Sequence, residues 1–262
     1  MAQMTIDASP AELTNIKKLR KLNVIAGFAH LIQMVLILVL ANDFALPITA
    51  QYMEGPPGQP LAAPVTLMES RVAIGVALFF ALSALFHFLV ASPLFFNRYA
   101  AGLVAKHNYF RWVEYSVSSS VMIVLIAQVC GIQDAAALIA IFGVNASMIL
   151  FGWLQEKYET PGSGGWLPFI FGCIAGIVPW LIILFYVIAP GAANRVSPPG
   201  FVIGIIISLF IFFNCFAVVQ FLQYKPVGKW ADYLRGERTY IVLSLVAKSL
   251  LAWQIFGGTL AP

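Results

Sequence analysis

Lys248 stands alone in the apolar stretch Thr239 to Gly258 (TYIVLSLVAKSLLAWQIFGG), the last of about seven such stretches. An ammonium group at mid-bilayer costs about 3 kcal/mol or more, so a lysine at that depth reads as functional. A desolvated amine is also suited to Schiff-base formation with a carbonyl. Glu114, embedded in YFRWVEYSVSSSVMIVLIAQVC, is the one acid that reads as comparably buried. One buried cation and one buried anion suggest a covalently held carbonyl cofactor and its counterion.

Other polar residues fall at similar depth. A helix rises about 1.5 Å per residue, which places Glu114 about 10 Å and Lys248 about 15 Å from the same end of their spans. Ser244 precedes Lys248 by one turn on the same face. Tyr115, Ser118 and Met122 accompany Glu114 along the third span, and Ser83 and His87 share a face of the second. Asn23, His30 and Gln33 share a face of the first. Polar side chains in lipid need partners, so these should point inward. The histidines read either as satisfied structural residues or as proton carriers beside a buried acid. Glu114 has its own bland reading, a structural ion pair with Arg111, although Arg111 is nearer the interface and can snorkel out.

The elements that position these groups follow from composition. The chain has 262 residues, 61% of them hydrophobic and 10% charged, which excludes a soluble domain. Seven spans of about 20 residues fit, near 22–41, 69–91, 108–131, 135–155, 166–190, 200–223 and 239–258. They predict an all-α bundle, one membrane domain over 1–262, with a tail over 1–21 that turns helical after Ser9-Pro10. Residues 42–68 form the longest loop, where ITAQYM and APVTLM flank EGPPGQP and predict a β-hairpin. Lys17, Lys18, Arg20, Lys21, Arg98, Lys106, Arg111, Lys157, Lys225, Lys229, Arg235 and Arg238 fall on one side, Arg71 and Arg195 on the other. The positive-inside rule then puts the N-terminus in the cytoplasm and the C-terminus outside. The basic bias is a topology signal and does not point to nucleic acid. The first span is too long for a signal-peptide core. Cys130, Cys173 and Cys215 suit no metal site and read as small buried hydrophobes. Gly172 and Gly176 form a GxxxG that serves internal packing or a dimer contact.

Local sequence adds a resemblance. SLVAKS around Lys248, FRWVEYSVSSSVMIVLIAQ around Glu114, LSALFHF around His87 and IFGVNASMILFGWLQEKY in span 4 resemble the heliorhodopsin family, from about residue 17 to the end. The N-in topology agrees, since that family is inverted relative to other rhodopsins. The resemblance implies all-trans-retinal on Lys248 as a protonated Schiff base, with Glu114 as sole carboxylate counterion and Ser244 where pumps carry a second acid. It implies a proton-accepting cavity of His30, Gln33, His87 and Asn108, with Ser83 beside it. Asn145, Met148 and Phe213 would contact the polyene, joined by Tyr115, Ser118 and Met122; Phe212, Trp180 and Trp253 are further aromatics for such a pocket. It implies a dimeric, non-enzymatic light sensor with a slow photocycle and a cytoplasmic signalling or enzyme partner that sequence does not name.

Two other functions compete. A light-driven ion transporter needs titratable groups on both sides of Lys248, and the outer halves VMIVLIAQVC and LLAWQIFGG carry no acid. A membrane enzyme or transporter with a Schiff-base lysine but no retinal would lack a visible absorption band.

Overall fold

The computed structural model describes residues 9–189, 192 and 196–262. Ser9 opens the first helix through a capping box: its side chain accepts from the Glu12 backbone and the Glu12 carboxylate accepts from the Ser9 N–H, with Pro10 in the first turn. The helix α1 (Pro10–Leu40) has 31 residues. At 1.5 Å per residue it is about 46 Å long, well beyond the hydrocarbon core of about 30 Å. Half of the expected tail is therefore helix, and its first turns carry Lys17, Lys18 and Lys21 past the apolar belt.

The hairpin follows as β1 (Ala45–Ala50) and β2 (Val65–Arg71), antiparallel, with register from Ala45 opposite Arg71 to Ala50 opposite Val65 and an irregularity after Ile48. Each strand is displaced by two or three residues from its expected place, because Pro47 lies inside β1 and the turn residues pair only through an isolated Met53–Leu61 bridge. The Thr49 N–H donates to the Gln133 carbonyl at 2.8 Å, fastening the hairpin to the next loop on that side.

The remaining spans are α2 (Val72–Ala91), α4 (Tyr109–Val129), α5 (Ala135–Tyr158), α6 (Leu167–Ile188), α7 (Gly200–Tyr224) and α8 (Tyr233–Ile255). Asn108, Asp134 and Asp232 cap α4, α5 and α8 by accepting from first-turn N–H groups. With α1 these make seven helices, among the described residues, long and apolar enough to cross a membrane, and the chain is a multi-pass membrane protein. An eighth, α3 (Phe96–Val104), is short and amphipathic, and buries Tyr99, Ala100 and Leu103. Its stretch was expected as loop, since nine residues cannot span a bilayer. The expected positive charges gather with α3 at one end of the bundle, called here the basic end; the hairpin occupies the other. Arg195 lies outside the described residues.

Large apolar side chains face outward all round, as at Ile25, Ile139, Leu181 and Phe185, forming the lipid-facing belt. Inside, Phe79, Phe80, Ile123, Ile126, Ile183, Leu209 and Leu251 pack a core toward the hairpin end. A second cluster at the basic end joins Ile16, Leu19, Tyr99, Leu103 and Ile241. Neighbouring spans pack closely round the bundle except α6 against α7, whose gap aromatic rings bridge: Trp180 meets Phe210 and Phe213 at 5.3 and 5.5 Å between centroids. α4 is the most enclosed span. It carries the third-span serines and Glu114 through the middle of the molecule.

Candidate functional site

Lys248 and Glu114 meet. A helical side chain leans toward its own N-terminus, so Lys248 Nζ reaches back one turn and donates to Ser244 Oγ at 2.9 Å and to Glu114 Oε1 at 2.9 Å. Ser83 Oγ donates to the same carboxylate oxygen at 2.7 Å. Lys248 is 3% exposed and Glu114 6%, so neither charge is hydrated from bulk. Nζ also lies 5.2 Å from the Tyr115 ring centroid, a cation–π contact. A buried pair gains little net stability, but removing one partner strands a charge at a cost of about 3–5 kcal/mol. This pairing takes Glu114 as the partner of Lys248, and Arg111 goes elsewhere.

The pair separates two cavities. On the lysine side lies an apolar one of about 180 Å³, walled by Tyr115, Ser118, Met122, Met148, Gly172, Gly176, Trp180, Phe213, Phe216 and Lys248 itself. No carboxylate lines it. On the glutamate side lies a polar one of about 40 Å³, walled by Asn23, Ser83, His87, Tyr99, Asn108, Arg111, Glu114 and Glu237. That is room for about three waters, at roughly 15 Å³ each. Tyr115 touches both cavities.

Several expected residues sit differently. Asn145 is outside the apolar wall; its Nδ2 donates to Ser119 and Ser120 at 2.9 and 3.0 Å, holding α5 to α4 behind it. Phe212 packs in the core, and Trp253 turns its Nε1–H to Gln33 Oε1 at 3.0 Å. Gln33 is thereby taken up between α1 and α8 and does not reach the polar cavity. His30 is fully buried behind that cavity, stacked on His87 with centroids 5.4 Å apart. Gly176 serves internal packing, since a Cβ there would collide with Met148 Sδ; one on Gly172 would stand in ordinary contact with Phe151 and the Met148 carbonyl.

Sequence reasoning missed two acids. Arg111 is 7% exposed and pairs with Glu156 and Glu237, whose side chains are 3% and 1% exposed. Its guanidinium lies 4.5 and 4.2 Å from the Trp112 and Tyr240 ring centroids, and Asn108 Nδ2 donates to Glu237 at 2.8 Å. Arg111 therefore neither snorkels nor pairs with Glu114; two carboxylates on α5 and α8 hold it inward. Glu156 and Glu237 fall just outside the expected spans 135–155 and 239–258, beside Lys157 and Arg238. Asn23 was noted only for its face. It bridges His87 and Tyr99, at 2.7 and 3.2 Å.

A seven-helix bundle with a lysine and an acid paired at its centre defines the rhodopsin class of fold. The transmembrane domain of the rhodopsin phosphodiesterase of Salpingoeca rosetta has a similar structure, with a TM-score of 0.65, 13% identity, and coverage of 96% of this chain and 89% of that one. No curated protein matches the sequence. The heliorhodopsin family model matches residues 19–260, and the chain belongs to the heliorhodopsin family. It is a light-sensing retinal rhodopsin, in a family of photoreceptors and not of enzymes.

The residues present fit retinal. The cavity is apolar, and Lys248 is its one amine, as an aldehyde of a conjugated polyene requires. Met122, Met148, Trp180 and Phe213 supply soft and aromatic contact along it. Lys248 Nζ is the atom that would form the link.

Proposed function

We propose that all-trans-retinal is held on Lys248 as a protonated Schiff base with Glu114 as its counterion, and that light drives a slow signalling photocycle without ion pumping. The observation that carries this reading is the Lys248–Glu114 pair, placed between an apolar and a polar cavity. Glu114 fixes the positive charge at Nζ, and Ser83 and Ser244 supply the remaining hydrogen bonds. Met122, Met148 and Phe213 line the polyene, with Ser118 and Tyr115 near Nζ. Asn145 acts behind the wall through Ser119 and Ser120.

The polar cavity gives a departing proton somewhere to go, among Glu114, Ser83, His87, Asn108 and water, with His30 stacked behind. That cavity opens toward the basic end. The apolar cavity has no acid, and neither does the half of α4 or α8 beyond it. A proton released toward the basic end then returns from the same side, so the cycle moves no net charge. The positive-inside rule makes the basic end cytoplasmic, with the C-terminus outside. A homodimer and a cytoplasmic partner complete the reading as expectations of the family. The chain as a whole, 1–262, is read as one membrane domain.

Adding retinal to the expressed protein tests the centre of this reading: a visible band should form. Illuminated cells should show no sustained pH change. A shift that a protonophore abolishes would make the protein a transporter instead.

A further inference from the structure

We propose that Asn23 is a positioning residue: it holds the His87 imidazole in its Nδ1–H form and leaves Nε2 as the atom that receives a proton leaving Lys248 Nζ. This rests on the reading of His87 as part of the proton-accepting cavity.

Asn23 lies on α1 and is 3% exposed. Gly27, one turn on, lets α1 approach α2 closely, since a Cβ there would meet the Phe88 ring at 2.9 Å. The close approach puts the Asn23 carboxamide against His87. Three contacts surround it: the oxygen end lies 2.7 Å from His87 Nδ1, and the amide end donates to the Leu19 carbonyl at 2.9 Å and to Tyr99 Oη at 3.2 Å.

The two ends of a carboxamide have nearly the same shape and opposite chemistry. Leu19 decides between them, because a backbone carbonyl only accepts. The NH₂ must face Leu19, so Oδ1 must face His87. An amide oxygen also only accepts, so His87 Nδ1 must carry the hydrogen. The reverse orientation would set two acceptors against each other at Leu19. Tyr99 can donate or accept and does not choose; its ring, packed in the cluster with Leu19, Leu103 and Ile241, backs the amide.

A neutral imidazole offers one lone pair. With Nδ1 committed, that lone pair is on Nε2. His30 of α1 stacks on the ring, Glu114 of α4 lines the same polar cavity, and Lys248 of α8 stands behind Glu114, bonded to its carboxylate. Proton uptake then breaks the bond to Nζ and forms one to Nε2. Nδ1–H stays on Asn23, Glu114 keeps its charge, and no buried amide has to turn.

The test is ¹⁵N solid-state NMR of histidine-labelled, retinal-loaded protein in lipid nanodiscs. The chain has only three histidines, and His87→Phe identifies the His87 signals by difference. In the dark, Nδ1 should be protonated and Nε2 bare. Under illumination that leaves Nζ deprotonated, both should be protonated. Asn23→Leu should lose the greater part of the Nδ1–H signal, whereas Tyr99→Phe should keep it, since Leu19 still orients the amide. A dark-state Nε2–H signal in the wild type overturns the proposal, and needs no variant to fold. So does an Nδ1–H signal that survives in Asn23→Leu. A locked Nδ1–H with His87 singly protonated throughout the cycle supports Asn23 as the lock and rejects His87 as acceptor.

Discussion

The two cavities beside Lys248 and Glu114 differ in size, in lining and in what they permit. The apolar one is the larger, at about 180 Å³, and no carboxylate or histidine is among its lining residues. The polar one has room for a few waters and is ringed by hydrogen-bonding and titratable side chains. A buried ion pair sits where the dielectric changes from one to the other. Charge displaced toward the apolar side finds no compensation, while a proton displaced toward the polar side finds several acceptors. The difference teaches that direction is built into the lining, with no need for a second acid beside the lysine.

Removing the lysine breaks the comparison outright. Lys248→Ala should insert and fold yet form no visible pigment with retinal, and a normal band in that variant would end the assignment. Glu114→Gln should be next in effect. Loss of the counterion should either shift the band to longer wavelength or destabilise the protonated nitrogen until absorption moves to the near ultraviolet at neutral pH. An unchanged spectrum and titration would place the counterion elsewhere. Arg111→Met tests the polar side alone: it strands Glu156 and Glu237, at a cost of about 3–5 kcal/mol. Thermal bleaching should come at markedly lower temperature while the band stays nearly in place. Gly176→Leu tests the apolar side alone, by driving a side chain into Met148 at about 1–3 kcal/mol; pigment yield should fall, and a full yield would show that α6 does not press on the cofactor. Ser83→Ala should matter least. It withdraws one hydrogen bond from Glu114, worth about 1–3 kcal/mol, and should give a small band shift measurable by difference spectroscopy.

The apolar side was more legible in the sequence than the polar side. Lys248 and Glu114 are isolated charges in long apolar runs, so their depth follows from counting residues. The seven spans follow from length for the same reason. The Arg111–Glu156–Glu237 cluster lies near span ends, where buried and hydrated charges look alike in sequence. Only the folded arrangement of α4, α5 and α8 separates them. Gln33 had the right depth and the wrong direction, because Trp253 on α8 offered its indole N–H first. Asn145 had the right helix and the wrong rank, one layer behind the wall. α3 was invisible as a span because it is too short to be one, yet it supplies Tyr99 to the polar cavity.

At the hairpin end the chain is tied across itself. The Asn42 side chain donates to the Thr259 and Ala261 carbonyls at 3.0 Å each, and its N–H donates to Leu260, so the end of α1 is laced to the end of the chain. The hairpin stitches the α4–α5 turn to the same end through Thr49. The opposite end has α1 projecting beyond the belt. Mechanically, α8 is a rod held at both ends: by these laces, and near the basic end by Glu237, which pairs with Arg111 of α4 and accepts from Asn108. α8 has 23 residues. At about 35 Å, a tilt of about 5° at the laces moves its far tip by about 3 Å. A tilt of that size would part Glu237 from Arg111, so a disturbance at the lysine would be felt at the basic end as a change in one buried charge cluster.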